Sequence, residues 1–189
     1  MVEYIEDRTF TQEDIEKEGL AKTSYEHCFF NGCDLTGAKL NNYVFIDCTF
    51  TSCNLSNAKV EQTGFRSVQF IESKLTGIDF SLINDMVIDM SFDHCILEYT
   101  SFLSLHMKKT TFNECALKSA VFENTDLSGS KFIGCDLERA LFLNTNLEKA
   151  DLASSYNIAL DPERNRLKKA IFSLGSCPGL LLKYDLIVQ

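Results

Sequence analysis

Large apolar residues recur at every fifth position of this chain. From Tyr25 they run Phe30, Leu35, Leu40, Phe45, Phe50, Leu55, Val60, Phe65, Phe70, Leu75 and Phe80. After a shift of two residues the series resumes at Val87 and runs Phe92, Leu97, Phe102, Met107, Phe112, Leu117, Phe122, Leu127, Phe132, Leu137, Phe142, Leu147 and Leu152. A helix repeats its buried face every 3.6 residues and a half-buried strand every two, so neither explains the pattern. Two residues before most of these positions sits a small one, as at Cys28, Cys33, Ala38, Cys48, Cys53 and Ala58, and again at Cys95, Thr100, Cys115, Ala120, Cys135 and Ala140. Residues two apart on an extended backbone point the same way. Small and large positions therefore share an interior, and the three residues between pairs face solvent or turn a corner. So short a period, sustained this long, reads as a repeat architecture.

Runs such as Cys33-Asp-Leu-Thr-Gly, Ala120-Val-Phe-Glu-Asn and Cys135-Asp-Leu-Glu-Arg show the unit whole. From about Tyr25 to Leu152 the chain resembles the pentapeptide-repeat family, whose motif is small–polar–Leu/Phe–polar–polar. The resemblance implies an all-β fold, a right-handed quadrilateral parallel β-helix with four pentapeptides per coil. A second period agrees with it. With the two extra residues absorbed at one corner, one column reads Phe30, Phe50, Phe70, Phe92, Phe112, Phe132, and the next Leu35, Leu55, Leu75, Leu97, Leu117, Leu137. A period of twenty nested in one of five is what four faces require.

The chain divides into residues 1–24, a cap or irregular first coil; 25–152, the repeat; and 153–189, a C-terminal helical cap and dimerisation tail. In the first segment Phe10, Ile15 and Leu20 hold the phase while Arg8, Glu13 and Glu18 occupy the small positions. The acids Glu13, Asp14, Glu16 and Glu18 discourage end-to-end stacking of solenoids. In the last segment Asp161-Pro162-Glu163 predicts a helix start, with Asp as N-cap and Pro at N1, running to about Lys169. Ala170-Ile-Phe172 looks like one more repeat, and Gly179 to Tyr184 a second short helix. Leu180, Leu181, Leu182, Tyr184, Leu186, Ile187 and Val188 form an apolar run. It either covers the last coil or makes a two-fold dimer seam; likeness to the tail of quinolone-resistance relatives favours the seam. Between Ser81 and Asp89 the rhythm breaks and puts Asp85 at a small inward position, as an outward bulge or as a specialised site.

Seven of the eight cysteines occupy the small position, where Cys acts as a compact hydrophobe. Their spacings of 5 and 20 are not those of a zinc site. His27 and His94 each precede an inward Cys, but neighbours in a strand point to opposite faces, so neither pair can act as nucleophile and base. The sequence has no HExxH, GxSxG or phosphate loop, and a convex rod offers its carboxylates no water-excluding pocket. The expectation is a protein that is not an enzyme and needs no cofactor or metal.

The net charge is −9. Residues 153–189 carry five Lys/Arg and three Asp/Glu, a net +2, which leaves −11 for residues 1–152. Such a body repels nucleic acid and anionic membrane and attracts basic surfaces. The acidic N-terminus lacks the features of an export signal, and the expected location is cytoplasmic; an extracellular adhesin is disfavoured on the same ground. The resemblance implies a partner as well. In the topoisomerase-binding branch of the family an acidic dimeric rod imitates B-DNA and occupies the DNA site of DNA gyrase. The residues expected to carry that role are Asp126, Asp136, Glu138, Glu148 and Asp151, close to the presumed seam. Lys108, Lys109, Lys118, Lys131 and Lys149 interrupt the same region. The alternative is a scaffold with an unrelated protein partner.

Overall fold

The computed structural model describes residues 4–84, 86 and 88–187. They form a right-handed, four-sided parallel β-helix. Side 1 is a seven-stranded parallel sheet made of Thr9–Phe10, Phe29–Asn31, Thr49–Thr51, Val68–Ile71, Met90–Asp93, Thr111–Asn113 and Lys131–Ile133. Side 4 is a four-stranded sheet, Tyr4–Glu6, Ser24–Glu26, Val44–Ile46 and Gly64–Arg66. Sides 2 and 3 are held by single bridges such as Asp34↔Asn54 and Lys39↔Lys59. Partners lie twenty residues apart, as in Phe30↔Phe50, and twenty-two across the break, as in Phe70↔Phe92. Coils therefore rise by ~4.8 Å each.

The two columns read from the sequence stand inside the tube. On side 1 Phe10, Phe30, Phe50, Phe70, Phe92, Phe112 and Phe132 stack face to face with centroids 4.5–5.4 Å apart. On side 2 the six leucines are buried. A second aromatic column, not anticipated, meets the first edge-on. Below the break it is Tyr25, Phe45 and Phe65 on side 4; from Phe80, just beneath the break, it passes to side 3 and continues above as Phe102, Phe122 and Phe142.

Most corners place the residue two after the large one in the left-handed region, at φ between about 50° and 65° for residues such as Asn42, Ser52, Asn57, Asn124 and Asn144. Gly takes this conformation freely; Asn, Asp and Ser tolerate it; a β-branched residue does not. No Val, Ile or Thr stands at any described corner of this kind.

The small position does more than fit. Cys33, Cys53, Cys115 and Cys135 donate Sγ–H to the carbonyls of Phe10, Phe30, Phe92 and Phe112 at 3.2–3.5 Å. Thr63, Thr125 and Thr145 do the same with Oγ1 towards Leu40, Phe102 and Phe122 at 2.7–2.8 Å. Cys is thus a compact hydrophobe that also supplies a donor to the corner beneath it.

The ends differ from the sequence expectation in detail. The first coil carries a helix, Gln12–Glu18, opened by Asp14, whose carboxylate accepts the Thr11 N–H at 2.8 Å. Asp161 does cap, accepting the Glu163 N–H at 2.9 Å, but the helix expected to reach about Lys169 is a single 3-10 turn, Pro162–Arg164. Asn165 stops it: its amide donates to the carbonyls of Asp161 and Phe142. The coil then resumes with Asn146↔Arg166 and Asp151↔Ile171. The tail follows as 3-10 turns Leu174–Leu180 and Leu182–Tyr184. At the break, Phe80–Leu82 forms a short 3-10 turn; Asp85 and Val87 lie outside the described residues, as does Val188.

Candidate interaction surface

With every repeat packing its large and small residues inward, chemistry is left to the outer positions. Cys95 is buried with Sγ directed at the carbonyls of Phe70 and Asp93, whereas the His94 ring faces out, 3.0 Å from the Asp93 carboxylate. The two do not meet. His27 lies between Glu6 and Asp47 at 3.8 and 3.7 Å. A groove of about 710 Å³ runs along side 3 between Lys22 and Leu82, and its lining holds neither His nor Cys. Among the described residues no group of three or more His, Cys, Asp or Glu is placed to hold a metal ion, and no helix is long and apolar enough to cross a membrane.

The five acidic residues singled out from the sequence spread over three sides. Asp126 and Glu148 are on side 4, Asp136 and Glu138 on side 2, and Asp151 on side 1, as the bridges Asp126↔Asn146, Asp136↔Tyr156 and Lys131↔Asp151 locate them. Each is engaged within the chain. Asp126, Asp136 and Asp151 accept the backbone N–H two residues on, from Ser128, Glu138 and Ala153, at 3.0–3.1 Å. That closes the corner, as Asp side chains do in turns. Burial opposes the Asp126 charge, but the hydrogen bonds from Ser128 and the nearby Lys108 outweigh it and hold the carboxyl below its ordinary value. Glu138 pairs with Lys118, and Glu148 with Arg166 at 2.8 Å.

The apolar tail is bare on the single chain. Leu182 is 65% exposed and Ile187 89%; Leu181, Tyr184 and Leu186 are exposed as well, while Leu180 packs partly against the core. The tail is moored by Lys183, which reaches Asp161 at 2.8 Å and Glu163 at 2.6 Å, and by the Tyr184 hydroxyl donating to Glu163. Gly179 fits so closely that an added Cβ would strike the Ile158 carbonyl. Sequence reasoning also missed exposed Tyr99, Leu103 and Leu141 at or beside the upper part of side 3. Reading every twentieth outer residue would have gathered Ser101, Val121 and Leu141 there.

Two trypsin-treated variants of QnrB1, described as a plasmid-mediated fluoroquinolone resistance protein, have solved structures similar to this one. The first is 19% identical with a TM-score of 0.64, over 98% of this chain and 97% of the other. The second is 19% identical with a TM-score of 0.52, over the whole of both. At such identity the likeness is one of fold. No curated protein matches the sequence. Residues 23–85 and 86–152 match the family model described as Pentapeptide repeat region, over two thirds of the length. The chain belongs to the pentapeptide-repeat family.

Proposed function

We propose that this protein is a non-catalytic protein-interaction rod, that it pairs through its C-terminal tails, and that its acidic exterior engages DNA gyrase in place of DNA. The observation that carries the reading is a rod with an acidic body, −11 over residues 1–152, whose repeat interior is wholly given to packing. A duplex presents one charge per ~1.7 Å of axis, which this density approaches from below. The fold likeness to a fluoroquinolone resistance protein supports the choice of partner. Exposed Leu181, Leu182, Tyr184, Leu186 and Ile187 support the pairing, since an apolar patch of that kind marks a contact surface. The test is a supercoiling assay with purified gyrase, with and without ciprofloxacin. Inhibition or protection at micromolar protein is expected, and no effect removes gyrase as partner. Tail pairing is checked by mass in solution at high salt, where Leu182→Glu with Ile187→Glu should yield a monomer.

A second reading, a scaffold for an unrelated protein, is favoured by the internal engagement of Asp126, Asp136, Glu138, Glu148 and Asp151. Exposed Tyr99, Leu103 and Leu141 would then be the contact.

A further inference from the structure

One corner of the solenoid changes sign along its length. The register of side 1 aligns Thr9, Phe29, Thr49, Gln69 and Ser91, and then Thr111, Lys131, Asp151 and Ile171. The residues two places before them stand in one line at the corner between sides 4 and 1: Asp7, His27, Asp47, Ser67, Asp89, Lys109, Gly129, Lys149 and Lys169. Beside them run Glu6, Glu26, Ile46, Arg66, Ile88, Lys108, Ser128, Glu148 and Lys168. Below Lys108 this double file holds five carboxylates and Arg66, a net −4 with His neutral; from Lys108 upward it holds five lysines and Glu148, a net +4. The edge is ~40 Å long at ~4.8 Å per coil.

The charges are available. Lys109, Lys149, Lys168 and Lys169 are exposed and make no ion pair among the described residues. Asp7 and Asp47 are exposed; among the described residues neither pairs with a Lys or Arg, and Asp47 lies 3.7 Å from His27. The charged residues of the double file are exposed, save Glu26 and Glu148, which are half-buried. Lys109 lies across Gly129, its Cγ 3.6 Å from where a Cβ would be.

We propose that this edge is a docking surface for a second copy of the same chain, turned end for end. A two-fold axis across the edge near the break puts the acidic half of each rod on the lysine half of the other. Parallel alignment would set like charge on like. The match is internal to one sequence, which is why the occupant is a second copy and not a foreign partner. Exposed pairs are individually weak and screened by salt, so the contact is reversible and strongest at low ionic strength. It is separate from the apolar tail and does not depend on it.

The test uses the full chain in sedimentation velocity, with two charge-reversed variants. One carries Lys109→Glu, Lys149→Glu and Lys169→Glu; the other Asp7→Lys, Glu26→Lys and Asp47→Lys. Glu and Lys both occur at left-handed corners of this protein, as at Glu72, Glu114 and Lys109, so the fold accepts them. Self-association of the natural chain should fall as salt rises from about 0.1 M to about 1 M, where the screening length shrinks from ~10 to ~3 Å. Each variant alone should lose this salt-sensitive step by about tenfold or more, and mixing the two should restore it as a heteromeric species. Carbodiimide cross-linking of isotopically mixed natural chains should join Lys149 or Lys169 of one copy to Glu6 or Asp7 of another. Association that ignores salt, as an apolar tail contact would, overturns the edge contact. So does a mixture no better than its components, or cross-links confined to the tail.

Discussion

The tube below the break and the tube above it are built from the same unit but filled differently. Below, side 4 is a ladder of strands backed by Tyr25, Phe45 and Phe65; above, that side is held by bridges such as His106↔Asp126 and backed by Met107, Leu127 and Leu147. The aromatics move to side 3, which acquires Phe80, Phe102, Phe122 and Phe142 without acquiring a ladder. Ring bulk and backbone ladder are therefore set independently. What both halves keep is two aromatic columns in edge contact, at 5.3–5.9 Å for Phe45, Phe50, Phe65 and Phe70 and 5.9–6.0 Å for Phe102, Phe112 and Phe122. The cross-section is fixed, and the second column can change sides as long as it is filled. The columns overlap at Phe65, Phe70 and Phe80, directly beneath the two-residue insertion.

If the halves are equivalent cores, Phe50→Ala below and Phe112→Ala above should each cost ~3–5 kcal/mol, the usual range for a buried Phe. Urea unfolding measures this, and a large inequality would break the comparison. A smaller effect is expected at the corners. Asn42→Val below or Asn124→Val above forces a β-branched residue to φ 64° or 55°, costing ~1–2 kcal/mol, whereas Gly at either place should be nearly neutral; thermal midpoints of the paired variants decide it. Smaller still is the loss of one inward donor. Thr63→Val and Thr145→Val each delete a 2.7 Å bond to the corner carbonyl of the coil below, worth ~1 kcal/mol apiece. The least effect belongs to the tail, outside either half. Hydrogen bonding to Lys183 lowers the Asp161 and Glu163 pKa values; burial works against the Lys183 charge, but those two carboxylates outweigh it and raise its pKa. Carboxyls with depressed values lend stability above their ordinary range near ~4 and lose it as pH falls through the depressed values. The difference in melting temperature between the natural chain and Lys183→Met should accordingly be present at neutral pH and vanish in acid.

The interior was legible because periodicity marks it: once the family resemblance sets four pentapeptides to a coil, Phe30 to Phe132 and Leu35 to Leu137 follow from spacing. The helix Gln12–Glu18 was not read, although Thr11 and Asp14 have capping-box spacing, because its acids looked like a charge barrier. Of the coil beyond Leu152 only Ala170-Ile-Phe172 was read; the stretch before it was hidden by Asp161-Pro162-Glu163, a genuine helix opening that Asn165 cuts short through contacts distant in sequence. The surface was least legible. Asp126, Asp136 and Asp151 look like free charge in one dimension, yet the chain folds each back on the amide two residues later.

The insertion before Met90 adds two residues, and Phe70↔Phe92 still face each other across it. Because a quarter of the circumference takes five residues, a gain or loss of five would swing everything above the break through about ninety degrees. A loss or gain of twenty would only shorten or lengthen the rod. In genetic terms, indels in this gene fall into those that preserve azimuth and those that scramble it. Asp7 and Lys169 share one meridian because the insertion present here is of the first sort.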